Sequence, residues 1–234
     1  MAQNSAQIED DVRFWLNQDM EHNLFFTLGF ADPGLKEEAQ RLYDAYREAL
    51  SRQDFGAALA LVPASQALKL NALAATKARW TGSIYPSFID HVLREIDWML
   101  VRRSSMTGGL PTQEEVCAVD RLNADHAALA AHLLDPGEGA LVKKAHDLHE
   151  RGMQATVGCA QAVLPSLLAL SRQIGTEAVG LVDAVIAQKP AHIIHPLLAA
   201  HVQREGQRFL GRLQEIPIPA SPPESPSPTF RHLY

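Results

Sequence analysis

Only two of the 234 residues are cysteine, Cys117 and Cys159, and neither sits in a paired motif. This argues against a disulfide framework or a zinc finger and predicts two buried thiols in apolar helical surroundings. Basic charge is also short. The chain has 21 Lys and Arg against 27 Asp and Glu, a formal net charge of −6, and no basic stripe with interleaved aromatics. No nucleic-acid partner is therefore expected. Long apolar runs are missing too: the first ten residues hold none, and no segment reaches the ~18 to 20 apolar residues that span a bilayer. The expectation is a cytoplasmic chain with no membrane partner. Finally, there is no useful β-alternation, no Gly-rich phosphate cradle and no Ser-His-Asp order, so kinase, hydrolase and dehydrogenase chemistry has no footing.

What the sequence does have is helix. Residues 8–30 carry apolar positions at helical spacing and close at Ala31-Asp32-Pro33-Gly34. Residues 35–52 place Ala39, Leu42, Tyr46 and Leu50 on one stripe. A third helix is predicted from Pro63 to Trp80, and a fourth from Pro86, a favourable first-turn residue, to Arg103. The linker 104–109 follows. The second half repeats the order, with a fifth helix from about Leu110 to Leu133 stopping at Asp135-Pro136-Gly137, and a sixth over 141–156. A long seventh over 157–188 has its start or a kink marked by Pro165 and Gly175, and an eighth covers 192–213. Beyond Glu215 the composition turns to Pro and Ser, which predicts a disordered tail over 215–234. The fold expected is all-α: two tandem antiparallel four-helix bundles, residues 8–103 and 110–213, related by internal duplication.

The repeat is most visible in its polar residues. Pro86…His91-Val-Leu-Arg94-Glu95 and Pro196…His201-Val-Gln-Arg204-Glu205 have the same spacing, and upstream Glu21-His22 is matched by Asp125-His126. Residues four apart lie on one helix face, so His91 with Glu95, and His201 with Glu205, each converge on one point. Phe88 and Trp98, then Leu198 and Phe209, share those faces, so both pairs point into the core. An ionised Glu among apolar side chains is costly unless a cation meets it. His22 is the better inward residue of its pair, with Glu21 turned about 100° away; Glu21 lies on the stripe of Phe14, Phe25 and Leu28, so in a wide interior both reach the centre, and the same holds for Asp125 and His126.

Each half thus offers a carboxylate and a His from its first helix and a His and a Glu from its last: Glu21, His22, His91 and Glu95, then Asp125, His126, His201 and Glu205. Two imidazoles with one or two carboxylates suit a divalent transition metal, iron first, with manganese or zinc as alternatives. One metal per half is the more natural arrangement, a single site shared by the halves being the other. The remaining histidines, His132, His146, His149, His192, His195 and His232, lack counterparts and are read as surface or capping residues, with His195 able to support the ligand His201 from behind. A buried hydrogen-bond network of His and Glu without metal is the competing reading.

Phe14-Trp15-Leu16 followed by Glu21-His22 and Phe25, with the downstream Pro, His and Arg-Glu helix, resembles the bacterial domain-of-unknown-function family 2935. The likeness covers roughly residues 8 to 213 and implies a duplicated ferritin-like helical architecture that binds metal. The second half departs from it: Ala118 to Leu122 lacks the Phe-Trp-Leu signature and Asp125 stands for Glu. The resemblance implies no reaction. Three functions are open: a non-heme iron or manganese enzyme acting on oxygen, peroxide or a small chelating substrate, a metal-binding, sensing or storage protein without turnover, and a structural protein with buried His-Glu pairs. A catalytic centre needs room, which Ala74, Ala75, Ala160 and Ala162 are expected to leave.

Overall fold

The structure, a computed structural model, describes residues 5–104, 113–188 and 192–216. The expected linker falls largely in 105–112 and the tail beyond Ile216, outside these residues. Eight α-helices follow in order: α1 Ser5–Gly29, α2 Pro33–Ser51, α3 Phe55–Ala78, α4 Pro86–Ser104, α5 Gln113–Leu133, α6 Gly139–Gly158, α7 Leu164–Gln188 and α8 Pro196–Glu215. A 3-10 turn, Cys159–Gln161, separates α6 from α7. No strand is present among the described residues. The fold is all-α, as the periodicity predicts.

Local chemistry sets the helix starts. The Asp32 side chain accepts from Leu35 N and Pro33 opens α2, while Asp54 accepts from Ala57 N and opens α3. α3 therefore begins eight residues before the predicted Pro63, which lies inside the helix. Its length and composition would also allow a membrane crossing, which amends the sequence reading. A third of its apolar window is buried against the bundle, and it carries the fully buried Lys69. At the other end α8 runs to Glu215 and Ile216 is buried in the core, so ordered structure reaches two residues into the expected tail.

Each half pins the end of its first helix to the loop before its last. Phe30 pairs with Gly82, and Leu134 with His192. Gly82 has φ +143°, and a Cβ there would lie 2.2 Å from the Gly29 carbonyl oxygen, so only glycine fits. The apolar core is continuous between halves. Trp15 of α1, Trp98 of α4 and Phe209 of α8 pack ring against ring at 4.7 to 5.6 Å, beside Val116 and Leu122 of α5. At the far end of that core Cys117 and Cys159 are joined as a disulfide, Cα to Cα 6.1 Å. This corrects the expected free thiols. Forty-two residues of separation hid the pairing from the sequence.

Candidate metal centre

Four helices, α1, α4, α5 and α8, carry every candidate ligand, and they meet across the halves: α1 packs on α8, and α4 on α5. This arrangement brings His22, His91, Glu95, His126, His201 and Glu205 into one buried cluster. The expectation of a separate set in each half is corrected. His22 of the first half faces His201 of the second, Nε2 to Nε2 2.9 Å, and His91 faces His126 at the same distance.

The two glutamates lie between these pairs. Glu95 places Oε2 3.0 Å from His22 Nε2 and Oε1 2.9 Å from His91 Nε2. Glu205 places Oε1 3.4 Å from His201 Nε2 and Oε2 3.2 Å from His126 Nε2. Each carboxylate thus divides its oxygens between the two histidine pairs. His22, Glu95, His201 and Glu205 form one set of converging donor atoms, and His91, Glu95 and His126 another.

Glu21 and Asp125, expected among the ligands, stand behind them. Glu21 Oε2 is 2.7 Å from His201 Nδ1 and accepts from Arg204. Asp125 Oδ2 is 3.4 Å from His91 Nδ1, accepts from Arg94 Nη2 at 2.6 Å, and its Oδ1 accepts from Arg121 Nε. The reason is the 100° step that separates neighbours on a helix: when His22 and His126 take the centre, the preceding residue reaches the flank. There it meets the far side of an imidazole from the other half. Such a contact fixes the tautomer that leaves Nε2 free to bind. Arg94 and Arg204, one position before each glutamate, were not singled out in the sequence, although the matched His-x-x-Arg-Glu spacings display them.

Burial opposes charge throughout. It pushes the Glu95 carboxyl up, yet the charges of His91 and His22 hold it well below the usual carboxylate range. Glu205 is likewise lowered, against burial and Glu95, by His201 and His126. Burial depresses His22 below its ordinary value despite Glu95, whereas His91, where Glu95 and Asp125 outweigh the same burial, is pushed up to about 10. The carboxylates are thus ionised, the state a cation needs.

The donor set fits a metal. The buried oxygens of Glu95 and Glu205 have only imidazole nitrogens within reach, at 2.9 to 3.6 Å, and none of these contacts has hydrogen-bond geometry. Within each imidazole pair only one proton can lie between the facing nitrogens. Four unsatisfied carboxylate oxygens and four converging imidazoles are difficult to reconcile with a self-contained polar network. These buried groups could hold a metal ion.

Other expectations resolve differently. His195 caps α8, accepting from Leu197 N at 3.2 Å, and does not support His201. His149 Nδ1 lies 2.9 Å from the Ala124 carbonyl oxygen. Ala74 and Ala160 are exposed and Ala75 and Ala162 half-buried, so none makes room at the centre. Small residues do so elsewhere: Ala127, Ala130, Ala178, Ala199 and Gly206 line a cavity of about 50 Å³ that reaches His126.

No protein-family model matches the chain. It is 24% identical over 260 residues to an uncharacterized protein, L567, of Acanthamoeba polyphaga mimivirus, covering 89% of this chain and 81% of that one. Its fold matches the crystal structure of an uncharacterized protein from Bacillus cereus G9241 with a TM-score of 0.83 at 15% identity, covering 94% and 95% of the two chains. At that identity the likeness speaks for the fold alone.

Proposed function

We propose that this chain holds two divalent transition-metal ions, iron first, in one centre shared by its halves, and uses them in oxygen or peroxide chemistry. The observation that carries this reading is the division of each buried glutamate between two imidazole pairs. His22, His201, Glu95 and Glu205 would hold one ion, and His91, His126 and Glu95 the other. Imidazole and carboxylate together suit iron and manganese, and zinc fits the donors less selectively. When bound, such a pair supplies one-electron steps and a Lewis acid for a small oxygen species. The chain's own part is to orient the His201 and His91 rings from Nδ1 through Glu21 and Asp125 so that Nε2 is the atom turned to the centre, to balance those outer carboxylates with Arg94, Arg121 and Arg204, and to exclude water with Phe25 and Phe88. Membership of family 2935 is part of the proposal and rests on the Phe14-Trp15-Leu16, Glu21-His22 and His-Arg-Glu segments.

The test is metal analysis by mass spectrometry on untagged protein purified without added metal, followed by reconstitution. Two equivalents of iron with magnetically coupled spectra, and accelerated consumption of oxygen or peroxide, are expected. Two equivalents without turnover would move the chain to metal storage or sensing. No metal after reconstitution would return the cluster to core hydrogen bonding.

A further inference from the structure

The centre is flanked by unlike interiors. One turn after His22 the first half places Phe26, fully buried, and three residues before His22 it places Asp19, which accepts from Lys69 Nζ at 2.5 Å, Tyr46 at 2.6 Å and Ser65 at 3.1 Å. Ile96 follows the glutamate Glu95. The second half has Ala130, Asn123 and Gly206 at these same points relative to His126 and Glu205. Bulk and a buried ion pair on one side are replaced by small residues and a neutral amide on the other.

Space remains as a result. The cavity of about 50 Å³ lies between α5, α7 and α8, walled by Leu129, Leu133, Leu181 and Val185 and reaching His126. Asn123 lines it, is 1% exposed, and neither its Nδ2 nor its Oδ1 has a hydrogen-bond partner among the described residues. A buried amide with both ends free in an apolar chamber is an unusual thing to retain. No Lys or Arg lines the cavity, so it does not select an anion. A water needs roughly 10–15 Å³ measured this way, so there is room for roughly four heavy atoms.

We propose that this cavity binds a small uncharged aliphatic molecule with one hydrogen-bonding head, the head on the Asn123 amide and the chain among the leucines, against His126. Occupancy does not require the metal. The same site would bring such a molecule next to the centre, as substrate or as effector.

Titration of the full chain, labelled at Leu and Val methyls and at side-chain amides, with 1-propanol tests this by NMR. Saturable shifts confined to the Asn123 amide and the Leu129, Leu133 and Val185 methyls are expected in metal-free and metal-loaded protein alike, and propylammonium should not produce them. Ala130→Phe, which copies Phe26, should abolish them. Asn123→Leu, which keeps the apolar walls, should weaken propanol at least tenfold without reducing xenon uptake, and it serves if the Phe variant does not fold. Shifts that rise linearly without saturation, an equal response in Ala130→Phe, or an Asn123 amide satisfied by ordered water alone would overturn the proposal. Because the metal-free chain is titrated too, a failure to bind metal leaves this result standing.

Discussion

Glu95→Gln separates a shared centre from two independent ones. The substitution preserves shape but removes one of two buried carboxylates and turns one oxygen into an N–H donor facing imidazole nitrogens at about 3 Å. A ligand at a concentration a hundred times its dissociation constant stabilises the fold by about 2.7 kcal/mol, so two occupied positions contribute about 5 kcal/mol. For a chain of this size, 1 kcal/mol moves the melting temperature by about 2–4 °C, so a chelator should lower that of the native protein by about 10–20 °C. Since Glu95 gives one oxygen to each imidazole pair, the variant should lose both metal equivalents and nearly all of that chelator response. Calorimetry with and without chelator, alongside metal analysis after gel filtration, measures both. A variant that keeps one full equivalent and about half of the shift would refute the sharing of Glu95, whereas Glu205→Gln should lose at least the equivalent held by His22 and His201.

Three further outcomes follow from the geometry. Asp125→Ala and Glu21→Ala leave the six converging residues in place but free the Nδ1 of His91 and His201, so each should weaken metal binding about 10–100-fold, read by competition with a chromophoric chelator; unchanged affinity in both would deny them that role. Lys69→Met leaves the Asp19 carboxylate buried with only hydroxyl partners and should cost about 3–5 kcal/mol in urea unfolding of the metal-free protein, a loss below about 1 kcal/mol counting against the ion pair. Burial pushes the Asp120 carboxyl up to about 7 from 3.8, with only Ser171 opposing. The folded chain therefore holds an extra proton across that interval, and the stability this contributes is full below pH 4 and lost as pH rises through 7, a span of up to about 4 kcal/mol. Asp120→Asn should flatten the slope between pH 4 and 7, and parallel slopes in variant and parent would contradict it.

Helical periodicity located the eight helices and the polar residues that matter, because burial face and spacing are local properties of a sequence. It could not say which helix faces which. His22 and Glu95 belong to one half and do approach each other, but the partner of His22 across the centre is His201, a choice made by the packing of α1 on α8. Glu21 and Asp125 were equally resistant: their angular offset was legible, while the imidazole they support comes from the other half. The third helix was read from about Pro63, whereas the cap at Asp54, which precedes the actual start at Phe55, was the quieter signal. Room beside the centre was sought at Ala74 and Ala75 of α3 and at Ala160 and Ala162 just before α7, yet it arises chiefly from residues next to the ligands, Ala127, Ala130 and Gly206, whose effect depends on what the opposite half has in their place.

The crossing of ligands between halves has a bearing on symmetry. Two identical subunits meeting at a centre of this kind would be obliged to carry identical interiors, so a chamber on one side would mean a chamber on the other, and any substitution would act twice. A single chain that supplies both imidazole pairs is released from that constraint. It can make one flank rigid with Asp19 and Lys69 while the other stays hollow around Asn123, giving the centre a closed back and an open front.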